Sequence, residues 1–247
     1  MSAEADLAIA GAGYVGLTSA ACFCEMGHRV QLVEADPAKR AALCAGRCPI
    51  CEPSLPELLQ KHLGNRLQLT ERLDVAARRV RALFVCVNAP PAENGVPDLG
   101  PLKHLLDDLN AQAFGAHSMD EHAPIVVLCG YLAPGTSRLV WEYLDRRLPV
   151  VANPEFLVPG AAVQSFFHPT RLVLGSPDEE AALAVAGIYH NLTAPLLLLN
   201  WEEAELVKYA HDTAQRMQSA LAAEVAALCA IHHANTAEVL AALGMNR

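Results

Sequence analysis

The chain has 247 residues, 53% hydrophobic and 18% charged, which is enough to bury a sizeable α/β core and excludes intrinsic disorder. Its net charge of −9, with 18 Lys and Arg scattered among 27 acids, excludes the basic stripe that a nucleic-acid partner requires. The start, Met1-Ser-Ala-Glu-Ala-Asp6, has no basic region and glycines soon break the apolar run that follows; no signal peptide or membrane span is expected, and the cytoplasm is the expected location.

Residues 6–13 form a short apolar run ending in glycines, 15–27 have helical spacing and close at Gly27, and 29–34 are apolar and β-branched. Together they predict a βαβ unit. Helices are expected over 37–45 and 55–63, and strands near 67–70, 82–88, 124–130, 148–152 and 171–175. Strands alternating with helices predict an α/β fold, a Rossmann-like doubly wound parallel sheet, over residues 1–200. The polar, histidine-rich stretch from Asn110 to Ala123 reads as a surface loop or helix end. From Trp201 the pattern becomes one long helical run, Glu202 to Ile231, with Ala, Leu and Val on one face. This helical segment, 201–247, is expected to dimerise through residues 201–231 against a copy of itself. A last short helix is expected from Thr236 to Leu243, ending at Gly244.

The chain holds eight cysteines, of which only Cys48 and Cys51, with Cys44 nearby, have ligand-like spacing. A structural zinc wants four ligands and no second pair is offered, so no metal is expected. Cys86 and Cys129 fall in apolar runs and read as buried small hydrophobes.

Gly11-Ala-Gly13-Tyr14-Val15-Gly16 follows a predicted strand and opens a predicted helix, the context in which G-x-G-x-x-G reads as a dinucleotide fingerprint. Gly11 serves the tight turn, Gly13 the approach of the backbone to a pyrophosphate, and Gly16 the packing of helix on sheet. Helix N-terminal amides then meet the phosphates, which includes Tyr14 and Val15 among the expected contacts. Glu34, at the end of the second strand, stands where an acid accepts ribose hydroxyls and repels a 2′-phosphate, so NAD is the expected cofactor. Lys39 and Arg40 lie close enough to leave NADP open.

Several runs, in order, resemble the UDP-glucose/GDP-mannose dehydrogenase family. They are Gly11-Ala-Gly-Tyr-Val-Gly-Leu17, Pro49-Ile-Cys-Glu-Pro53, Asp98-Leu99, Pro134-Gly-Thr136, Asn153-Pro-Glu-Phe-Leu157 with Gly160, Phe167-His-Pro169 with Arg171, and Ala204-Glu-Leu-Val-Lys208. The resemblance implies that Glu155 and Lys208 flank the reacting carbon, that Asn88, Ala89 and Tyr131 belong to cofactor loops, and that Phe156, Leu157, Asp212 and Arg247 face substrate. It also exposes departures. Asp212 and Ala223 stand where the family has asparagines, and Ala89 and Tyr131 where it has threonines. In the broader group of β-hydroxyacid dehydrogenases a lysine at the start of such a helix protonates the substrate carbonyl, the role expected of Lys208. The bland alternatives are an exposed helix lysine at 208, a helix-capping glutamate at 155, and a space-filling Tyr131. His211, His232 and His233 read as surface residues, His168 less so.

In the family a cysteine on a later segment captures the aldehyde for a second oxidation. Here none follows Cys229 and the sequence stops at Arg247, so a single hydride transfer is the expectation. With Arg171, Arg216 and Arg247 nearby, the expected substrate is a small anionic ketone and its secondary alcohol, of the hydroxy acid or organophosphonate/phosphate type. The alternative is a truncated, inactive relative that binds NAD or pairs with a full-length homologue.

Overall fold

Strands of four residues or fewer, most of them wholly or largely apolar, build the sheet that organises this chain. The computed structural model describes residues 5–77, 80–89, 92–113 and 123–245. In chain order they form β1 (Leu7–Ala10), α1 (Tyr14–Glu25), β2 (Val30–Val33), α2 (Pro37–Cys44), α3 (Leu55–His62), β3 (Leu67–Thr70), α4 (Leu73–Ala76) and β4 (Ala82–Val85). Then follow α5 (Lys103–Asp108), β5 (Ile125–Leu128), α6 (Thr136–Tyr143), β6 (Val150–Ala152), α7 (Ala162–Phe167), β7 (Leu172–Gly175), α8 (Glu179–Ile188), β8 (Leu196–Leu199), α9 (Trp201–Ile231) and α10 (Thr236–Ala242). Of the stretch expected as a loop between Asn110 and Ala123, residues 114–122 lie outside the described residues, and Leu109–Ala113 form a helical turn.

The eight strands lie in the order β3-β2-β1-β4-β5-β6-β7-β8, the doubly wound arrangement expected. It is not parallel throughout. β7 runs antiparallel to β6, joined at Ala152 and Gly175, and β8 then pairs parallel with β7. β1 and β4, at the centre, are buried at every position, as befits strands covered on both faces.

Phe23 of α1 holds the core together, its ring 4.9 Å from Phe84 of β4, 5.3 Å from Phe166 of α7 and 5.3 Å from Tyr189 at the end of α8. Such rings dominate core energetics by area. Helix starts follow local chemistry. Asp36 caps α2 ahead of Pro37, and Asp178 caps α8 through the Ala181 amide. Asn200 and Glu203 exchange bonds of 2.8 and 3.0 Å in a reciprocal capping box that starts α9.

The chain divides into two compact units, Met1–Leu206 and Val207–Arg247. The first holds the sheet and the start of α9, where the Trp201 indole N–H donates to the Val150 carbonyl at 2.8 Å. The second holds the rest of α9 and α10, whose first turn is capped by Asn235. Among the described residues no helix is long and apolar enough to cross a membrane.

Candidate active site

β1 delivers the chain into the turn Gly11–Gly16, where two positions call for glycine, one for its backbone angle and one for space. Gly11 has φ +99°, with the Cys86 carbonyl oxygen 3.2 Å from where a Cβ would stand. At Gly16 a Cβ would sit 1.9 Å from the Gly11 oxygen, an impossible contact. Gly13, by contrast, has open space on that side, as required where a pyrophosphate approaches the backbone. α1 then starts at Tyr14 with no side-chain cap and no acid in its first turn. Its amides, including those of Tyr14 and Val15, belong to a helix terminus suited to an anion.

Glu34 is buried beside this turn. Its Oε2 accepts the Ala12 amide at 3.1 Å and its Oε1 the Asp36 amide at 2.9 Å. Lys39 Nζ lies 3.8 Å from the same carboxylate. Arg40 is committed elsewhere, donating to the Glu34 and Ala35 carbonyls and to Glu71. The glycine turn and the anchored acid fit the dinucleotide that the spacing predicts. NAD, when bound, supplies the hydride acceptor; Gly13 and the start of α1 would hold its pyrophosphate and Glu34 its ribose.

Beyond β4 and β5 two loops run side by side. Asn88 Oδ1 accepts the Tyr131 amide at 2.8 Å, Ala89 donates to the Tyr131 carbonyl and accepts from Ala133, both at 2.9 Å. Ala89 is buried in that pairing, while Asn88 stays exposed. The loops expected to face cofactor are therefore pinned to each other.

The Asn153–Leu157 run follows β6. Buried Asn153 donates from Nδ2 to the Val173 carbonyl at 3.1 Å and accepts the Tyr189 hydroxyl at 2.6 Å. This fixes the loop to β7 and α8. Glu155 Oε2 accepts the Leu157 amide at 2.7 Å, closing a local turn; the helix that follows, α7, is served by a different carboxylate. A small cleft of about 60 Å³ is lined by Asn153, Glu155, Phe156, Leu157, Arg171 and Tyr189 among others. The Arg171 guanidinium lies 4.2 Å from the Phe156 ring centroid, a cation–π pair. Burial pushes the Tyr189 phenol well above its ordinary range. His168 only ends α7, donating its amide to the Gln164 carbonyl at 2.9 Å.

Two carboxylates unassigned by sequence reasoning turn out to organise the first unit. Glu52 Oε1 accepts the Tyr14 hydroxyl at 2.9 Å and the Gly160 amide at 2.7 Å, and its Oε2 accepts the Ala162 amide at 3.1 Å. Those donors, that of Gly160 foremost, hold its carboxyl below the usual range. Glu205 accepts the Gly135 amide at 2.6 Å and both the amide and hydroxyl of Ser137 at 2.7 Å, capping α6 from the start of α9. Burial raises its carboxyl above the usual range in spite of these bonds. The matched runs around Glu52 and Glu205 were the available signal.

In the second unit, Lys208 Nζ lies 3.1 Å from Asp212 Oδ1, one turn along α9, with the side chains 12% and 23% exposed. Lys208 is thus a largely buried, paired ammonium rather than an exposed helix lysine. Arg216 reaches Thr213 at 3.4 Å, and Ala223 is exposed on the same helix. Arg247, expected to face substrate, lies outside the described residues. Cys44 and Cys51 are exposed and Cys48 donates to the Ile50 carbonyl; among the described residues no group of His, Cys, Asp or Glu is arranged to hold a metal.

Residues 5–193 match the model of the UDP-glucose/GDP-mannose dehydrogenase family, NAD binding domain. The UDP-glucose 6-dehydrogenase AglM of Haloferax volcanii is 32% identical over 251 residues, covering 98% of this chain and 58% of the relative. A UDP-glucose 6-dehydrogenase of Pseudomonas aeruginosa is 33% identical over 254 residues, covering 98% and 54%. The solved UDP-glucose dehydrogenase of Pyrobaculum islandicum superposes with a TM-score of 0.84 at 32% identity, over 99% of this chain and 57% of that one. A ternary complex of GDP-mannose dehydrogenase from Pseudomonas aeruginosa gives 0.85 at 28% identity, over 98% and 57%. The chain spans about half the length of the curated relatives it matches.

Proposed function

The chain belongs to the UDP-glucose/GDP-mannose dehydrogenase family, and from that membership we propose that it moves a hydride between NAD(H) and the carbon of a C–OH/C=O pair. The observation that carries this reading is the carboxylate of Glu34 locked onto the glycine turn, which meets a dinucleotide with both of its recognition elements in place. Lys208 is the proposed acid–base: it gives a proton to the carbonyl oxygen as hydride arrives, and takes it from the hydroxyl in the oxidative direction. Glu155 orients the reacting group. Asn88, Ala89 and Tyr131 shape the cofactor loops, and Phe156, Leu157, Asp212 and Arg247 face the substrate.

The relatives are named for UDP-glucose, so a nucleotide sugar is the first candidate for the alcohol. A second reading, a small anionic ketone and its alcohol, is favoured by the Arg171 guanidinium stacked in the cleft, while Asp212, at a position where the resemblance implies a neutral asparagine, speaks against a UDP-sugar. We further propose a homodimer through α9, where Met217, Leu221, Leu228 and Ile231 are exposed, and work in the cytoplasm on its NAD pool.

The test is to follow NADH absorbance with UDP-glucose and, separately, with a panel of hydroxy acids, keto acids and phosphonates. Turnover of UDP-glucose supports the first substrate and turnover within the panel the second. NADH binding with no turnover of either would favour an inactive cofactor-binding relative, and absence of NADH binding would overturn the cofactor half of the reading.

A further inference from the structure

Tyr14, the first residue of α1, sits inside the dinucleotide turn, whereas Gly160 and Ala162 lie in the segment that runs from the Asn153–Leu157 loop into α7. One side chain joins them. Glu52, 6% exposed, accepts from the Tyr14 hydroxyl, the Gly160 amide and the Ala162 amide at once. The same segment is otherwise tied to itself: the Val158 amide donates to Ser165 Oγ at 3.0 Å, and that hydroxyl donates to the Ala162 carbonyl at 3.0 Å.

We propose that Glu52 is a positioning residue that couples cofactor occupancy at the glycine turn to the order of residues 158–162, and so to the loop carrying Glu155. The inference rests on the reading of the turn as an NAD site. A pyrophosphate bound at the start of α1 engages the backbone of the residue whose hydroxyl Glu52 holds. Fixing Tyr14 fixes the carboxylate, and the carboxylate holds two amides of the neighbouring segment. An ionised carboxylate is an acceptor at both oxygens, which is what three donors converging on it require. A glutamine at 52 would turn an N–H₂ toward one of those donors. Hydrogen bonds to a charged acceptor are the strong kind, and the carboxylate that receives all three is itself buried, so little slack separates the two ends of the relay.

Hydrogen exchange of the full chain, read by mass spectrometry on peptides covering 156–166, tests the coupling without any substrate. Saturating NADH is expected to slow exchange at Gly160 and Ala162 several-fold in the wild-type protein. Tyr14→Phe removes only the hydroxyl and keeps the backbone amide, so at NADH concentrations that a fluorescence titration shows to saturate that variant the slowing at 160–162 is lost. In Glu52→Gln, exchange there should be fast with or without NADH; should that variant fail to fold, Tyr14→Phe alone decides. Wild-type protein that binds NADH with unchanged exchange at 160–162 overturns the proposal, as does Tyr14→Phe protein that keeps the slowing. No NADH binding by wild-type protein in the same fluorescence titration would instead overturn the cofactor reading, and this inference with it.

Discussion

Glu34 Oε2 and the Ala12 amide are 3.1 Å apart, so the acid at the end of β2 is already bonded to the glycine turn that follows β1. The second oxygen is held by the Asp36 amide, which leaves the carboxylate oriented with lone pairs to spare for ribose hydroxyls. A ribose 2′-phosphate would meet this fixed negative charge. Lys39, 3.8 Å away and half-exposed, offsets only part of it, and Arg40 is turned to backbone carbonyls and Glu71.

Replacing Glu34 by alanine should therefore invert cofactor preference. NADH affinity is expected to fall about 10- to 100-fold, the worth of a hydrogen bond to a charged group at about 1.5–3 kcal/mol, while NADPH affinity rises. Fluorescence titration of both cofactors measures it. A wild-type preference for NADPH would reverse the assignment.

The proposed dimer is testable by mass. α9 exposes Met217 at 69% and Ile231 at 69%, with Leu221 and Leu228 between them, an apolar set that a second copy of the helix would cover. Light scattering at micromolar concentration should report about twice the chain mass. Met217→Lys with Leu221→Lys should shift it to the monomer, and a wild-type monomer would remove the proposal.

Glu52 and Glu205 should pull stability in opposite directions with pH. Glu52 is held below the usual range by its amide and hydroxyl donors, so it stabilises the fold above the ordinary carboxylate range and loses that contribution as pH falls through its folded value. Glu205 is held above the usual range by burial, so its contribution is full at low pH and is lost as pH rises through its folded value. Melting temperatures from about pH 3 to pH 7, taken for wild type against Glu52→Gln and against Glu205→Gln, should give difference curves of opposite slope. Two curves of the same slope would show that one of these assignments is wrong.

What was legible in the sequence was what local sterics or periodicity dictate. Gly11 and Gly16 announce the turn because the first needs a left-handed φ and the second has no room for a Cβ, and the long apolar period of α9 announces a helix. β8 went unread because Leu196–Leu199 abuts a helix start, and a short apolar run alone does not distinguish strand from helix. The Asn200–Glu203 capping box, an N-x-x-E pattern, could have separated the two. The reversed direction of β7 is invisible to a period of two, which is the same for either direction. Glu52 and Glu205 were missed as organising groups for a plainer reason. Their partners, Gly160 and Ser137, are distant in sequence, and only the folded chain brings those amides to the carboxylates.

The proposed chemistry rests on Lys208, whose ammonium is paired with Asp212 at 3.1 Å and largely withdrawn from water. A proton donor needs its charge at hand and its geometry fixed, and an acid one turn along the same helix supplies both. With whichever substrate the NADH assay identifies, Lys208→Ala should lower turnover by about 10²- to 10⁴-fold, the usual worth of general acid catalysis. NADH affinity should hold, because the proposed cofactor contacts lie elsewhere. Glu155→Gln should cost less, since the role proposed for Glu155 is to orient the reacting group and its carboxylate is already engaged with the Leu157 amide. Asp212→Asn separates the two substrate readings: it restores the neutral side chain expected for nucleotide sugars, so it should raise UDP-glucose turnover if that is the substrate and lower turnover of a small ketone if the carboxylate positions Lys208 for it. Unchanged turnover in the Lys208→Ala protein would mean that another group is the acid.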